Sequence, residues 1–379
     1  MPVKIVRTAT VATTVDTFCN GLLSDLRAEG YEVVVVTSPG PEIPEIERRE
    51  GVRCVTVSMV RHISPLRDLR SLWQLIRAFR RERPDMVHSM TPKAGLLSMM
   101  AACVCRVPVR VHTFTGLVFP TATGLMQKIL ILTDRLTCAC ATHIVPEGEG
   151  VKNDLIRYHI THKPLKVLGH GNVRGIDLAH YNPELPEVKS EVEKIRRPGV
   201  FTFVFVGRLV GDKGINELIE AFCQLQAEHK DVRLILVGRQ EPDLDPLLPE
   251  TLSEIDHNWA IEAVGQKSDV RPWLAAADAF VFPSYREGFP NVVIEAGAMG
   301  LPSIVTDING SREIIIEGRN GTIIPPRDTQ ALFRAMCRFI SERSTTLAMS
   351  ANARDLVASR YEQSYVRSCL MDYYKKILF

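Results

Sequence analysis

The sequence predicts an α/β protein with two parallel-sheet domains. Continuous apolar runs rich in β-branched residues alternate with amphipathic segments, which is the pattern of strands buried on both faces between covering helices. This pattern occurs twice, and the polar, proline-bearing stretch YNPELPEVKSEVEKIRRPG separates the two series. The length of 379 residues also favours two domains, because single cores rarely grow beyond about 250 to 300 residues.

The elements of the first series follow in order along the chain. The run YEVVVVTSP is β-branched and ends at Pro39 and Gly40, as a buried strand does. Apolar residues at helical spacing predict a helix from Phe18 to Glu29, which Gly30 ends. The same signals predict strands at 3–6, 86–89 and 109–113, and helices at 66–83 and 94–105.

The second series repeats these signals. FTFVFVGR and VRLILVGR are predicted strands, and the helix between them runs from Gly214 to Glu228. Further strands are predicted at 263–265 and in AFVFPS, GLPSIVTD and GTIIPP, with helices at 270–276 and from Gln330 onwards. Right-handed crossovers bring the carboxyl ends of parallel strands to one edge, so we expect ligands to bind there.

We predict four segments from this pattern. An N-terminal domain spans residues 1–177, a connection spans 178–199, and a C-terminal domain spans 200–360. A C-terminal helix over 361–379 is expected to pack towards the N-terminal domain.

Charge and composition limit the classes of binding partner that the sequence predicts. The formal net charge is only +2, but the basic residues are in excess in the first half. This asymmetry suggests an anionic partner, either a membrane surface or a phosphorylated substrate, and nucleic acid is disfavoured because aromatics are not interleaved with the basic residues. A signal peptide and a membrane-spanning run are not predicted, so we expect a cytoplasmic protein with peripheral membrane contact. The cysteine spacing does not match a metal site.

Two glutamates flank a turn in the stretch SYREGFPNVVIEAGAMGLP, residues 284–302. Glu287 follows the strand AFVFPS on a strand-to-helix loop, and a helix is predicted near Asn291 with Pro290 in its first turn. Free backbone N–H groups of the loop and of that turn suit a phosphate. Glu295 lies on the same helix, where a carboxylate can accept hydrogen bonds from a ribose diol or can only complement the helix dipole.

A second loop combines glycines with two cations. The strand FTFVFVGR ends at Arg208, and Lys213 follows five residues later in GRLVGDKG. Glycines at 207, 211 and 214 allow a tight bend at this strand end. Together the two cations can neutralise a diphosphate leaving group, although a solvated loop with surface charges gives a similar pattern.

The motifs GRLVGDKG, VGQKSDV, EGFPNVVIE and GLPSIVTD, in this order, resemble the C-terminal half of the retaining GT-B glycosyltransferases of family 4, the glycosyl transferases group 1. That family includes bacterial capsular-polysaccharide, O-antigen and lipid-linked oligosaccharide transferases. The most specific part of the resemblance is the E-x7-E pair, Glu287 and Glu295. The resemblance covers nearly the whole chain and implies the GT-B fold, with two Rossmann-like domains facing a central cleft.

The resemblance implies a role for each of these residues. Arg208 and Lys213 would hold the donor diphosphate, and Glu287 would bind hydroxyls of the transferred sugar. Glu295 would bind the nucleotide ribose, and Gly265 would border the nucleobase. The neighbouring groups that would complete the donor site are Gly207, Gly288, Phe289, Pro290, Asn291 and Val292.

The first half resembles the same family less closely. MVHSMTPKAGLLSMMAA and PVRVHTFTGLVF are similar to segments in which the family carries runs like HTHTPKAG and TVHGL. Met90 and Thr115 stand where the family often has histidines. The polar group near the reacting sugar would therefore be His112 or Thr115, or neither, because a histidine at a strand end is often structural. The threonines of TATVATTVD either contact the acceptor or satisfy turns and caps.

The most basic segment is RHISPLRDLRSLWQLIRAFRRERPD, residues 61–85. Its apolar residues recur at helical spacing among arginines, which fits either a helix that covers the sheet or one that lies on an anionic membrane. The membrane alternative favours a polyprenyl-diphosphate-linked acceptor, which the family resemblance also implies.

These observations predict a retaining glycosyltransferase in cell-surface polysaccharide synthesis. It would move a sugar, with an N-acetylhexosamine as one candidate, from a nucleotide-sugar donor, expected to be UDP-linked, to a lipid-linked glycan acceptor. The family's front-face mechanism lets the departing diphosphate accept the acceptor proton, so neither a cofactor nor a metal is expected. Two alternatives stay open: a sugar-nucleotide 2-epimerase of similar architecture, and a non-catalytic partner subunit.

Overall fold

A computed structural model describes residues 2–60, 64–241 and 245–379. The chain divides into two compact units, Met1–Gly175 with Ser364–Phe379, and Ile176–Gln363. Each unit contains one six-stranded sheet in which neighbouring strands are parallel. The predicted α/β class with two parallel sheets is therefore confirmed.

The sheet of the first unit has the order β3-β2-β1-β4-β5-β6. Its strands are β1 (Lys4–Thr8), β2 (Glu32–Thr37), β3 (Arg53–Thr56), β4 (Met86–Met90), β5 (Val109–Phe114) and β6 (His143–Pro146). The strand order reverses between β1 and β4. Such a switch point is where open α/β sheets bind their ligands.

Helices cover both faces of this sheet. They are α1 (Ala12–Phe18), α2 (Leu22–Ala28), α3 (Ile43–Glu50), α4 (Pro65–Glu82), α5 (Pro92–Val104), α6 (Gly124–Cys140), α7 (Glu149–Arg157) and the C-terminal helix α16 (Gln363–Leu378), with a short 3₁₀ helix at Phe119–Thr121. Helix α5 packs against α4 on one side and α6 on the other.

Helix α16 completes the core of the first unit. Tyr374 is fully buried, and its hydroxyl accepts a hydrogen bond of 2.6 Å from Nη1 of the buried Arg7. His88 contacts both groups, and its Nε2 lies 2.7 Å from the hydroxyl of Thr113. Burial holds the pKa of His88 well below its usual value, so the imidazole is neutral beside the guanidinium.

The sheet of the second unit has the order β12-β11-β10-β7-β8-β9. Its strands are β7 (Phe201–Val206), β8 (Val232–Val237), β9 (Ile261–Gly265), β10 (Ala279–Phe282), β11 (Ser303–Thr306) and β12 (Gly321–Ile324). The switch point lies between β7 and β10. All residues of β7, β8 and β10 are buried, as their continuous apolar runs predict.

The helices of the second unit are α8 (Pro186–Ile195), α9 (Ile215–Glu228), α10 (Pro249–His257), α11 (Arg271–Ala275), α12 (Asn291–Ala298), α13 (Ser311–Ile314), α14 (Thr329–Ser341) and α15 (Arg343–Tyr361), with a 3₁₀ turn at Gly211–Lys213. Phenylalanines from neighbouring strands form the centre of the core, where the rings of Phe205 and Phe282 are stacked 6.0 Å apart. The core thus lies directly beneath the loops that follow β7 and β10.

Two predicted segments differ in the structure. The helix predicted from Phe18 to Glu29 begins only at Leu22, as α2, because Gly21 adopts the left-handed conformation (φ 72°) and separates it from α1, which ends at Phe18. The stretch predicted as a connection, 178–199, contains helix α8, which Pro186 begins and whose Val188 is buried. In the described ranges, no helix combines the length and apolarity needed to cross a bilayer. Residues 61–63 of the basic segment lie outside the described residues.

Candidate active site

Two loops of the second unit meet because they follow the neighbouring strands β7 and β10. The first runs from Gly207 to Gly214 and the second from Pro283 to Pro290. Gly214 has φ 70°, and a Cβ atom added there would lie 2.1 Å from the carbonyl oxygen of Pro283. Only glycine permits this approach, so the glycine spacing of GRLVGDKG brings the two loops into contact.

Lys213 and Glu287 form an ion pair between Nζ and Oε1 across these loops. Both side chains are largely buried, at 14% and 20% exposure. The hydroxyl of Ser284 donates a hydrogen bond of 3.2 Å to the same Oε1, and Nζ lies 5.6 Å from the ring centroid of Phe282. The structure therefore brings the predicted cation and the first predicted acid into contact, and each also contacts a neighbour from β10 or from the loop after it.

A second ion pair joins the same loops. Arg286 donates from Nη2 to Oδ2 of Asp212 at 3.0 Å, and the N–H of Tyr285 donates to the carbonyl oxygen of Asp212 at 2.9 Å. This pair was not predicted from the sequence. The signal was present, because each of its members is adjacent in sequence to a member of the first pair.

Arg208 lies at the same strand end and stays partly open to solvent, with 43% of its side chain exposed. Its Nη1 donates to Oε2 of Glu241 at 2.9 Å. The hydrogen bond to Glu241 raises the pKa of Arg208, and the nearby charges of Asp212 and Glu287 add to the effect. The guanidinium is therefore fully charged, and it lies on the same loop as Lys213.

An open cavity of about 310 Å³ lies beside Arg208. It is lined by Gly207 and by cations from adjacent strand ends, Arg239 and Lys267. Gly265 ends β9 in the left-handed conformation (φ 72°), and its carbonyl oxygen accepts a hydrogen bond of 3.0 Å from the cavity residue Gly238. The cations of this cavity suit an anionic ligand. Gly265 precedes the lining residue Gln266 in sequence, and its predicted place at the border of the nucleobase stays a prediction.

Helix α12 carries the second predicted acid. It begins at Asn291, as predicted, whereas Pro290 is the residue before the helix and has an extended conformation (ψ 102°). Glu295 is buried, at 7% exposure. Phe289 is also buried, and Gly310 lies so close that an added Cβ would be 2.6 Å from the Phe289 Cα atom. Gly310 thus packs against the loop of Gly288, Phe289 and Pro290, and the buried Glu295 lies on the helix that follows this loop.

His112 and Thr115, the candidates of the first half, line one small cavity of about 30 Å³ in the first unit. His112 is buried, and its Nδ1 lies 2.9 Å from the hydroxyl of Ser89. Burial lowers the pKa of His112 to about 3, so the ring is neutral at physiological pH. The structure places both candidates at the carboxyl ends of the strands, and their contact with a sugar stays a prediction.

Asp134 of α6 lines the same small cavity and was not predicted. Burial raises the pKa of its carboxyl group to about 7, so the group titrates near neutral pH. An acid inside the apolar run ILILTDRL is the sequence signal that could have identified it, because a carboxylate is rarely placed in such a run without a function or a partner.

The loop after β1 is held by threonine hydroxyls. Oγ1 of Thr10 lies 2.7 Å from Oγ1 of Thr91 and accepts a hydrogen bond of 3.2 Å from the N–H of Ala94 in the first turn of α5. Thr13 donates to Oε1 of Glu42 at 2.6 Å. These contacts favour the turn-and-cap interpretation of TATVATTVD for Thr10 and Thr13, and they join the loops of the switch-point strands β1 and β4.

One group among the described residues has the geometry to share a metal ion. Ligand atoms of Glu228, His229 and Cys337 all lie within 4.8 Å of one another. Glu228 ends α9 and His229 follows it, so the group lies at the edge of the sheet opposite to the Lys213 loop. It therefore does not belong to the candidate active site.

Two family models match this chain. The model described as "Glycosyl transferases group 1" matches residues 200–342, and that described as "Glycosyl transferase 4-like domain" matches residues 13–171. The first match contains all the donor-site residues predicted from the sequence, and the second contains His112 and Thr115.

Curated relatives match over nearly the whole chain. The capsular polysaccharide biosynthesis glycosyltransferase CapM of Staphylococcus aureus is 29% identical over 99% of this chain and 97% of the relative. The UDP-Gal:alpha-D-GlcNAc-diphosphoundecaprenol alpha-1,3-galactosyltransferase of Escherichia coli is 27% identical over 82% and 81%. These relatives support the glycosyltransferase prediction and not the epimerase alternative.

Solved structures establish the fold. HepE of Anabaena, solved in complex with UDP, superimposes with a TM-score of 0.81 at 17% identity, over 99% of this chain and 100% of HepE. WaaG, a glycosyltransferase involved in lipopolysaccharide biosynthesis, gives a TM-score of 0.70 at 17% identity over 97% and 98%. With two six-stranded parallel sheets, both family matches and full-length relatives, this chain belongs to the group 1 glycosyltransferases and has the GT-B fold.

Proposed function

We propose that this glycosyltransferase transfers a sugar, with retention of anomeric configuration, from a UDP-linked donor to a polyprenyl-diphosphate-linked glycan in cell-surface polysaccharide synthesis. The E. coli relative is named for a UDP-galactose donor and a diphosphoundecaprenol-linked acceptor. A Campylobacter jejuni relative, 24% identical over 91% of this chain and 94% of the relative, is an N-acetylgalactosaminyltransferase named for an acceptor of the same kind. Both names support the donor and acceptor classes proposed here.

The contact between Lys213 and Glu287 carries this proposal. It joins a cation and an acid at the switch point of a parallel sheet, on loops that follow adjacent strands. In the proposed complex Lys213 and Arg208 bind the donor diphosphate, and Glu287 accepts hydrogen bonds from hydroxyls of the transferred sugar. Because Lys213 already holds Glu287, the two groups are positioned before the donor arrives.

The rest of the donor lies along the same strand ends. We assign the ribose to the buried Glu295, and the sugar and phosphates to backbone groups from Gly288 to Val292. The nucleobase is assigned to the end of β9, beside Gly265. Each assignment uses a group of these strand ends, of the loops that follow them or of α12, and needs no bound metal.

The proposed chemistry depends on the departing diphosphate. The bond between the anomeric carbon and the diphosphate oxygen breaks while the acceptor oxygen approaches from the same face, and the acceptor proton passes to the leaving diphosphate. Lys213, Arg208 and the N-terminus of α12 stabilise the charge that develops on that oxygen. We propose that the polar group near the reacting sugar is His112 or Thr115 of the first unit.

The first test is binding of the donor. Saturation-transfer NMR of the purified protein would compare UDP, GDP and uridine, and then UDP-linked sugars. We expect UDP to bind, and the Glu295→Ala variant to lose most of the ribose signal, because the carboxylate that accepts the diol hydrogen bonds is gone. Equal binding of GDP and UDP, or an unchanged ribose signal in Glu295→Ala, would contradict the assignment.

We also propose peripheral contact with the inner face of the plasma membrane through α4. This helix exposes Leu66, Leu69 and Trp73 on one stripe at helical spacing, while Phe79 is buried against the sheet. Six arginines of the helix and its C-cap, Arg67, Arg70, Arg77, Arg80, Arg81 and Arg83, are exposed around the stripe. The exposed apolar stripe at the start of α4 thus supports the membrane interpretation, and the buried Phe79 near its end supports the interpretation as a helix that covers the sheet.

Sedimentation with vesicles tests the membrane proposal. Replacing Arg70 and Arg77 with Gln should reduce binding to vesicles that contain anionic phospholipid, and binding should fall with added salt. Vesicles of neutral phosphatidylcholine are the control. Equal sedimentation of wild type and variant with anionic vesicles would remove α4 from the proposal.

A further inference from the structure

A groove in the first unit lies between α5 and α6 and is separate from the donor loops. Its volume is about 470 Å³, which falls within the range of about 300 to 1,000 Å³ that small-molecule pockets occupy. Its apolar walls come from Leu96 of α5, from Ile129 and Leu130 of α6, and from Val11 and Val118 of two loops. We call it the α5–α6 groove.

The inner end of the α5–α6 groove reaches the switch point of the first sheet. Thr10 and Thr91, whose hydroxyls are hydrogen-bonded to each other, both contribute to its lining. They follow β1 and β4, the strands between which the sheet order reverses. A ligand in the groove would therefore have one end at the edge where the acceptor is expected.

The outer end continues into an exposed apolar stripe of α6. Leu125, Ile129, Leu132 and Leu136 recur at intervals of three to four residues, so they lie on one side of the helix. They are exposed by 74%, 37%, 66% and 40%. Ile129 belongs to both the stripe and the groove, so the two apolar surfaces meet at this residue.

An ion pair lies beside the apolar walls of the groove. Lys93 of α5 and Asp68 of α4 both line it and are 2.5 Å apart. Arg67 and Arg70, which neighbour Asp68 in sequence, are exposed. The groove thus combines apolar walls with one lysine, for which an anionic group can compete with Asp68, and this matches a ligand with an anionic head and a hydrocarbon chain.

We propose that the α5–α6 groove binds the hydrocarbon chain of a prenyl diphosphate, so that the acceptor's lipid is held by the protein itself. This inference rests on the proposed function, because the acceptor there is polyprenyl-diphosphate-linked. A contact with a bilayer surface requires only a flat apolar stripe, whereas a groove that reaches the switch point fits a single chain. The diphosphate would then compete with Asp68 for Lys93.

Soluble prenyl diphosphates provide the first test. Isothermal titration of the full chain would compare inorganic pyrophosphate, isopentenyl diphosphate and farnesyl diphosphate. We expect farnesyl diphosphate to bind about tenfold tighter than isopentenyl diphosphate or better, because its additional methylene and methyl groups leave water. Equal affinity for all three ligands would overturn the proposal.

Two variants on one helix separate the groove from the surface stripe. Ile129→Glu places a charge in the groove and is expected to weaken farnesyl diphosphate about tenfold or more. Leu132→Glu places the same charge on α6 at a position that does not line the groove, and is expected to leave the affinity within about twofold, because it removes no groove contact. Both positions are partly exposed, so folding should tolerate them.

The outcomes distinguish this inference from the proposed function. Equal losses of farnesyl diphosphate affinity in both variants would place the binding on the exposed stripe and overturn the groove assignment. If Ile129→Glu instead loses sedimentation with vesicles while its farnesyl diphosphate affinity is unchanged, the residue makes a bilayer contact, and the groove assignment is likewise overturned. UDP binding by the second unit should be the same in all three proteins. Intact UDP binding without prenyl diphosphate binding would refute the groove alone, whereas loss of UDP binding in the wild type would refute the proposed donor.

Discussion

The carboxyl group of Asp134 should make the stability of the first unit depend on pH. Its pKa is about 7 in the fold against an ordinary value of 3.8. An acid whose pKa is raised in the fold stabilises the folded state when the pH is below the pKa of the same group in the unfolded chain. This stabilisation is lost as the pH rises from about 4 to 7. The difference corresponds to about 4 kcal/mol at 1.36 kcal/mol per pH unit, and partial solvent exposure reduces our expectation to about 1–2 kcal/mol.

The variant Asp134→Asn removes this dependence while keeping the shape of the side chain. Amide hydrogen exchange of residues 124–140, corrected for intrinsic rates, would be compared for wild type and variant between pH 4 and 8. The variant should be more protected at pH 8 by about tenfold, and the two proteins should agree near pH 4. Asp372→Asn changes an exposed acid of the same unit and is the control. A difference that stays constant with pH would refute the reasoning.

Three further predictions concern single side chains. Lys213→Ala and Glu287→Ala should each lower turnover about 100-fold or more, because a largely buried charge loses its partner and the diphosphate or sugar loses a contact. Release of UDP from a UDP-sugar measures the turnover. Near-normal rates in both variants would refute the donor-site assignment. Tyr374→Phe should lower the free energy of unfolding in urea by about 1–3 kcal/mol, because buried Arg7 loses an acceptor; an unchanged midpoint would contradict this. His112 is neutral in the fold, with a pKa of about 3, so its contribution to stability should be lost as the pH falls from about 6.5 towards 3. His112→Asn should therefore shift acid unfolding to lower pH. Identical acid-unfolding profiles of wild type and variant would exclude the effect.

The continuous strands of both sheets could be predicted, because buried parallel strands read as unbroken β-branched and aromatic runs. Strand β3 could not, since it is a short edge strand with exposed Arg53 and Thr56 at its ends. Helix α6 was missed for a different reason. Its run ILILTDRL is apolar on several sides, as its exposed stripe shows, and such a run does not have the one-sided period of a covering helix.

The site could be predicted residue by residue but not as an arrangement. Glu287 and Lys213 stand out because each follows a strand and is flanked by glycine. Their contact depends on β10 lying next to β7, and the order of strands in a sheet is not encoded in the local sequence around either residue. The same holds for Asp134, whose place beside His112 follows from the packing of α6 against α5.

The position of Tyr374 has a consequence for how the protein is made. A ribosome delivers the first 175 residues, then the whole second unit, and only then helix α16. Until that helix emerges, the buried guanidinium of Arg7 lacks the phenol that accepts its hydrogen bond. Although N-terminal domains usually fold first during synthesis, here the second unit can finish folding while the first still waits for its last element.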